Sequence, residues 1–316
     1  MGYLEKYKKI IYRILRMYYI DNLTQSEIAS KLSISRIKVA RFLYFAREND
    51  LVETKLNFSI SENDELETEF ENKFGLKECR IVPSFENNED IYKFAGVYLS
   101  ELLARILKRD SCIGIAWSND VKGTLDYIKL TKKYNSTILS ITGNIGLDGS
   151  KNNANFIAHS FSEKIGGNDY LINFPAVFDN KEAKIIMEKE RNTEKIKVIA
   201  KKMDTYITGI GTAGTDSTIF KAGYFKYEEI EYIQSLGAVG CINLNFIDET
   251  GNEVKSDFDD RIIKVFPYSK FDETENVIAI AFGANKVNAI KATLRGNIIK
   301  ILITDENTAK GILKAF

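Results

Sequence analysis

Residues 207–214 read ITGIGTAG. An apolar entry is followed by Gly209, Gly211 and Gly214 in the spacing G-x-G-x-x-G, the outline of a dinucleotide-binding turn. Such a turn opens a helix directly and is followed about 20 residues later by an acidic residue at the end of the next strand. Here the chain continues TDSTIFKAGYFKYEEIEYI, which carries no strand pattern, and Glu228 and Glu229 begin a helix. The nicotinamide reading therefore fails and no cofactor is expected. The glycines read instead as one wall of a small-molecule pocket, where the missing side chain at Gly209 and Gly211 lets backbone approach a ligand closely.

Working outward, apolar runs of strand length recur at CRIVP (79–83), SCIGIAW (111–117), STILSIT (136–142), TYITGIG (205–211), NVIAIAF (276–282) and IIKILIT (298–304). Helical stretches separate them, among them DIYKFAGVYLSELLARILK and NKVNAIKATLRG. This alternation predicts an α/β domain, Rossmann-like, with a mainly parallel sheet covered on both faces. Ligands in such sheets bind beyond the carboxyl ends of the strands. The residues just after each strand are then the candidates. They are Ser118, Asn119 and Asp120 after the second run, and Thr142, Gly143 and Asn144 after the third. Gly209 and Gly211 follow the fourth, and Gly283 and Lys286 the fifth. Glycine, exposed amides at a helix start and the cation Lys286 together make an anion site.

Residues 1–58 are different in kind. TQSE (24–27) is a capping box, in which Thr24 accepts from the amide three residues on and Glu27 reaches back. Ile28, Ala29 and Leu32 form the inward face of the short helix that follows, and Ser33 and Ser35 bracket a tight turn. Ser35 caps the next helix, which turns Val39, Leu43 and Ala46 inward and Arg36, Lys38 and Arg41 outward. Ile10, Ile14, Leu15 and Tyr18 give the preceding helix its apolar stripe. Two short helices joined by a tight turn, the second rich in outward cations, are the helix-turn-helix pattern. Its second helix enters the major groove of double-stranded DNA. Thr24, Gln25, Ser35, Arg36, Lys38 and Arg41 are the candidate DNA contacts, Arg36 as a bidentate reader of guanine. LVETKLNF (51–58) alternates like a strand, so a small wing is expected.

Charge follows the same division. The first 58 residues hold eleven Lys/Arg against six Asp/Glu, while the whole 316-residue chain is formally neutral. A basic small end on an acidic body directs only that end to a polyanion. Three dispersed cysteines give neither a disulfide framework nor a metal motif, and a single histidine excludes a multi-histidine metal site. No apolar run reaches the ~18 residues of a membrane span. The Lys- and Arg-interrupted N-terminus does not read as a signal peptide, so a cytoplasmic protein without membrane contact is expected.

The segment LTQSEIASKLSISRIKVARFLYFARENDLVE (23–53) resembles the N-terminal part of the SorC/DeoR-type sugar-binding transcriptional regulators. The resemblance continues through FPAVFDNKEAK, KAGYF, GAVG, AFGANK and ILITDENTAKGIL, nearly to the end of the chain. It implies a helix-turn-helix domain over 1–58 and an effector-binding and oligomerisation domain over 59–316 that resembles sugar-phosphate isomerases without their catalysis. It further implies a phosphorylated sugar as effector and a homo-oligomer, dimer or tetramer, acting as a repressor of a carbohydrate operon. Lys286 and Asn153, within KNNAN, keep the family's look. Ile37 and Lys38 stand where the family usually has Pro and Thr. Asp120 follows the first loop's Gly114 and Trp117, Thr142 replaces a basic residue, and Cys241 replaces a carboxylate that binds sugar hydroxyls. These departures leave open a different sugar phosphate, a less charged effector, or a vestigial pocket on a constitutive DNA-binding protein. An active isomerase or deaminase would need a base near the sugar, for which Asp120 and Asp179 are the pocket-loop carboxylates.

Overall fold

The computed structural model describes residues 3–52, 62–144 and 153–316. The chain forms two compact units, Met1–Ser59 and Ile60–Phe316.

In the first unit, helix α1 (Tyr3–Leu15) runs into a single π turn over Arg16–Ile20. Helix α2 (Gln25–Lys31) starts at a complete capping box, with the Thr24 amide donating to the Glu27 carboxylate at 2.7 Å and the Glu27 amide to Thr24 Oγ1 at 3.3 Å. Helix α3 (Arg36–Glu48) begins at Ser35, whose Oγ accepts from the Lys38 amide. Between them Ser33 takes φ 55°, which allows the sharp turn. Ile11, Ile14, Ile28, Val39, Phe42, Leu43 and Ala46 close one small core. Ile11 is buried where the expected stripe had Ile10, and Leu15 and Tyr18 are only partly covered. Of these only Tyr18 lies in the π turn, which winds wider than 3.6 residues per turn, so a stripe counted at helical period drifts off the core there. The expected wing falls almost wholly on residues 53–58, outside the described residues.

In the second unit, α4 (Glu62–Phe74) leads into β1 (Glu78–Val82), α5 (Asn88–Ile106), β2 (Cys112–Ile115), α6 (Asn119–Asp126) and β3 (Thr137–Ser140). Then come α7 (Ala154–Ile165), β4 (Asn168–Tyr170), α8 (Lys181–Glu188), α9 (Arg191–Ala200) and β5 (Thr205–Gly209). A small insertion follows: β6 (Gly211–Thr212), α10 (Thr218–Lys221), α11 (Tyr227–Ser235), β7 (Gly240–Ile242) and β8 (Asn245–Ile247). The chain closes with β9 (Asn276–Ile280), α12 (Val287–Arg295), β10 (Ile301–Asp305) and α13 (Glu306–Ala315).

Among the described residues, seven strands form one parallel sheet in the order β1-β10-β9-β5-β2-β3-β4. Ile113, Ile115, Ile278 and Ile280 pack against α5, α6 and α7 on one face. Cys112, Tyr206, Val277 and Ala279 meet side chains of α4, α9, α12 and α13 on the other. Both faces are buried, which is why the strands read as unbroken apolar runs rather than as alternations. Each fully buried isoleucine contributes roughly 1.5–3 kcal/mol, more than the ~1 kcal/mol spanned by strand propensity, so packing decides these strands. The six expected strands are all present. β4 was not expected, nor was the separate antiparallel sheet β6-β7-β8. From β2 the chain adds β3 and β4 on one side, then returns to β5 on the other, so the topological switch lies between β2 and β5.

Candidate functional site

A cavity of about 350 Å³ opens at that switch point. The carboxyl ends of β2, β5 and β9 supply Trp117 to Asp120, Gly209 to Thr212, and Phe282, Gly283, Asn285 and Lys286, and Thr142 follows β3. The insertion covers it from above with Asp216, Ser217, Thr218, Lys221, Cys241, Asn243 and Leu244. Asn88 and Tyr92 of α5 complete the lining.

Ser118, Asn119, Asp120, Thr142, Gly209, Gly211 and Lys286, the strand-end candidates, thus meet in one place, and Cys241, which the resemblance pointed to, joins them. Four expected residues lie outside this lining. Asn153 accepts the Phe156 amide at 2.7 Å as the cap of α7. Asp179 is exposed in the turn before Asn180, which caps α8. Asn144 is exposed and bridges to Pro175 through its backbone. Gly143 is buried against Ala176, whose Cα would stand 2.6 Å from an added Cβ, so this glycine serves backbone packing. Asn88, Tyr92, Asp216, Lys221 and Asn243 escaped the sequence reading, because a helix distant in sequence and a folded-back insertion bring them in, while Asn285 sits in the strand-end loop beside Lys286 and was passed over there.

The glycines of ITGIGTAG now have a physical account. A Cβ on Gly209 would sit 2.1 Å from Ser118 Oγ and 2.6 Å from Ser118 Cβ. Gly209 is therefore glycine so that β5 can pass the residue that caps α6. Gly211 belongs to β6 and pairs with Cys241 of β7. A strand follows Gly209 where a dinucleotide site needs a helix.

At the base of the cavity the Lys286 ammonium lies 2.5 Å from the Asp120 carboxylate. Asp120 also accepts from the Phe282 amide at 3.2 Å and the Tyr92 hydroxyl at 3.4 Å. Burial and the neighbouring Asp120 charge push the Tyr92 hydroxyl well above its ordinary value, so it stays protonated and donates. Lys286, expected as the cation of an anion site, is thus paired with Asp120, and the two charges offset each other. The Gly283 turn before Lys286 is held from β10 and α13, its amide donating to Thr308 Oγ1 at 2.8 Å. Thr142 is also engaged, accepting from the Trp117 amide and donating to Asn243 at 2.9 Å.

At the mouth, Asp216 accepts from Thr212 at 2.6 Å and from Asn285 at 2.7 Å, joining the insertion to the loop after β9. Burial alone would raise its carboxyl, but these hydrogen bonds outweigh burial and hold it below the usual range. Burial pushes the Cys241 thiol up to about 12, which leaves a neutral thiol and no nucleophile at physiological pH. No group of three potential ligands for a metal ion occurs among the described residues. The lining mixes amides, hydroxyls, the Asp120–Lys286 pair and Lys221 with the apolar faces of Trp117, Ile210, Ile219, Leu244 and Phe282, a surface suited to a small polyhydroxylated ligand.

Residues 59–314 match Sugar-bind, the sugar-binding domain family. The chain belongs to the Sugar-bind family. It is 27% identical over 303 residues to the deoxyribonucleoside regulator of Bacillus subtilis (strain 168), covering 94% of this chain and 95% of that one. It is 26% identical over 310 residues to the sorbitol operon regulator of Klebsiella pneumoniae, covering 97% and 98%. The crystal structure of that full-length regulator, SorC, superposes with a TM-score of 0.75 at 26% identity, covering 96% of this chain and 98% of SorC. The resemblance read from the sequence is therefore a family relationship, and these relatives, each named as a regulator, match this chain along nearly their whole length.

Proposed function

We propose that this chain is a DNA-binding transcriptional regulator, a repressor of a carbohydrate operon, controlled by a sugar bound at the β2/β5 switch point. Residues 1–58 are the operator-binding part and residues 59–316 the effector and oligomerisation part, in a cytoplasmic homodimer or homotetramer. The observation that carries this reading is one chain holding both a doubly capped, cation-bearing helix pair and a cavity lined by polar strand-end residues. Arg36 stands beside Thr24, Gln25 and Ser26 at the start of α2, where a phosphate or base edge would be gripped between the two helix starts. In the cavity a phosphorylated sugar takes Lys286 and Lys221, the two cations of the lining. Binding is proposed without turnover, since Asp120 is occupied by three donors and Asp179 lies away from the cavity.

The Asp120–Lys286 pair favours a second reading, an unphosphorylated sugar or polyol, because a dianion must displace or share a neutralised lysine. Thermal unfolding of the full chain against phosphorylated and free sugars separates the two, since a ligand of the folded state raises the melting temperature. A shift with a sugar phosphate that disappears in Lys286→Ala supports the first reading. A shift with the free sugar alone supports the second. No shift with DNA binding intact leaves a constitutive regulator, and conversion of ribose-5-phosphate or glucosamine-6-phosphate would overturn the non-enzymatic reading.

A further inference from the structure

Helix α3 presents an unexpected residue at its outermost point. At 3.6 residues per turn, Val39, Phe42, Leu43 and Ala46 define one buried seam. Ile37 lies on the opposite side of the helix and is 75% exposed. Arg41, Tyr44 and Glu48 follow it at i+4, i+7 and i+11 on the same ridge, and these four share one shallow surface concavity with Ala40 and Phe45. The cations flank this ridge unequally. Arg36 turns toward the start of α2, and the Lys38 ammonium lies 6.0 Å over the Tyr7 ring of α1. Thus, if α3 is the helix that enters the groove, its leading side chain is a branched hydrocarbon with a cation one turn behind it.

We infer that Ile37 reads the 5-methyl group of a thymine in the major groove, with Arg41 beside it on the neighbouring base or phosphate. This rests on the DNA-binding reading above. Isoleucine has no donor or acceptor, so it is blind to the hydrogen-bond pattern of a base edge. The thymine methyl is the apolar feature a major-groove edge offers, and apolar side chains meet it there. DNA is favoured over a protein partner because Arg41 lies on the ridge next to Ile37, whereas the ridge's Glu48 lies at the far end of α3, and because the segment holds eleven cations against six anions. Ile37 is N-terminal on α3, the end of a recognition helix that reaches base edges.

The experiment begins with selection of duplexes from a random-sequence library by the full chain. Thymines in the selected consensus are then replaced one at a time by uracil, which removes only the methyl, and affinity is read by fluorescence anisotropy. One thymine per half-site is expected to lose about fourfold in affinity as uracil, the value of one methylene-sized group kept from water. Ile37→Ala, at an exposed position, is expected to bind thymine and uracil duplexes alike, and Ile37→Val to keep most of the discrimination. Equal methyl sensitivity in wild type and Ile37→Ala, or none in wild type, overturns the inference while leaving DNA binding in place. Loss of oligomer in Ile37→Ala with unchanged base preference also overturns it and makes the ridge a contact between chains. Failure of the library to yield any consensus, with no salt-sensitive binding, sinks the DNA-binding reading itself.

Discussion

At the scale of single residues, the pair Asp120–Lys286 is the feature most open to test. The Asp120 side chain is 8% exposed and that of Lys286 21%. Removing one partner of a buried pair strands the other charge, whereas removing both charges together does not. Lys286→Met is therefore expected to lower unfolding free energy by about 1–3 kcal/mol, the buried-pair cost discounted for the partial exposure of the lysine. Asp120→Asn with Lys286→Met is expected to recover most of that loss in urea denaturation. Additive losses would mean that the two side chains do not interact in solution. A second residue gives a spectroscopic handle. His159 is the single histidine of the chain, and its Nδ1 lies 2.8 Å from the Asp169 carboxylate. That hydrogen bond raises the imidazole above its ordinary 6.5. A raised folded value means the interaction stabilises the fold below about pH 6.5 and is lost as the pH rises through the folded value. One imidazole signal should titrate above 6.5 by NMR and move down in Asp169→Asn; a titration unchanged by that substitution would show that the contact is not formed.

At the scale of elements, the ends of strands carry the site, and Gly209 shows how narrowly they fit. Gly209→Ala puts a methyl 2.1 Å from Ser118 Oγ and pushes the cap of α6 aside. Overpacking and cap loss together predict a cost of about 2–4 kcal/mol. Ser118→Gly added to Gly209→Ala removes the clash and keeps a tolerable cap, so most of the stability should return in the double variant. If it does not, the strain lies elsewhere on β5. The same elements explain what the sequence disclosed. Strands β2, β5 and β9 are legible because both of their faces are buried, which forces long apolar runs. β4 is not, because its three residues Asn168–Tyr170 form a sheet edge, two of them exposed, and answer only to pairing with β3. β6 to β8 are too short to carry a period. The turn between β7 and β8 uses Asn243 and Leu244 at φ 46° and 62°, so no glycine announces it. The cavity walls contributed by strand ends followed from one topological rule. The walls contributed by Asp216, Asn243 and Tyr92 depend on how the insertion and α5 fold over them, which no local pattern encodes. Asn153 and Asp179 lie outside the lining for a related reason: their short polar chemistry serves helix starts and turns as well as ligands, and a helix start is where the fold uses Asn153.

At the scale of the whole molecule, the proposal is one of coupling. One chain carries a basic segment for a polyanion and a cavity for a small ligand, and a regulator requires that each alter the other's equilibrium. A ligand shifts such an equilibrium only by its differential affinity for the two states, and the coupling is reciprocal. Arg36→Ala should weaken operator binding by about 1–3 kcal/mol and relax preference at one base position if it reads guanine. Equal weakening on every sequence, with a shallower salt dependence, would make Arg36 a phosphate contact. Neither result bears on control by the effector. The decisive measurement pairs two titrations on the full chain: operator affinity by anisotropy with and without the sugar that raises the melting temperature, and sugar affinity by calorimetry with and without operator duplex. A repressor released by its effector predicts the same factor in both, on the order of 5- to 150-fold. Sugar binding that leaves operator affinity untouched would show the two units to be energetically independent, and would turn the cavity from a control site into a passenger of the fold.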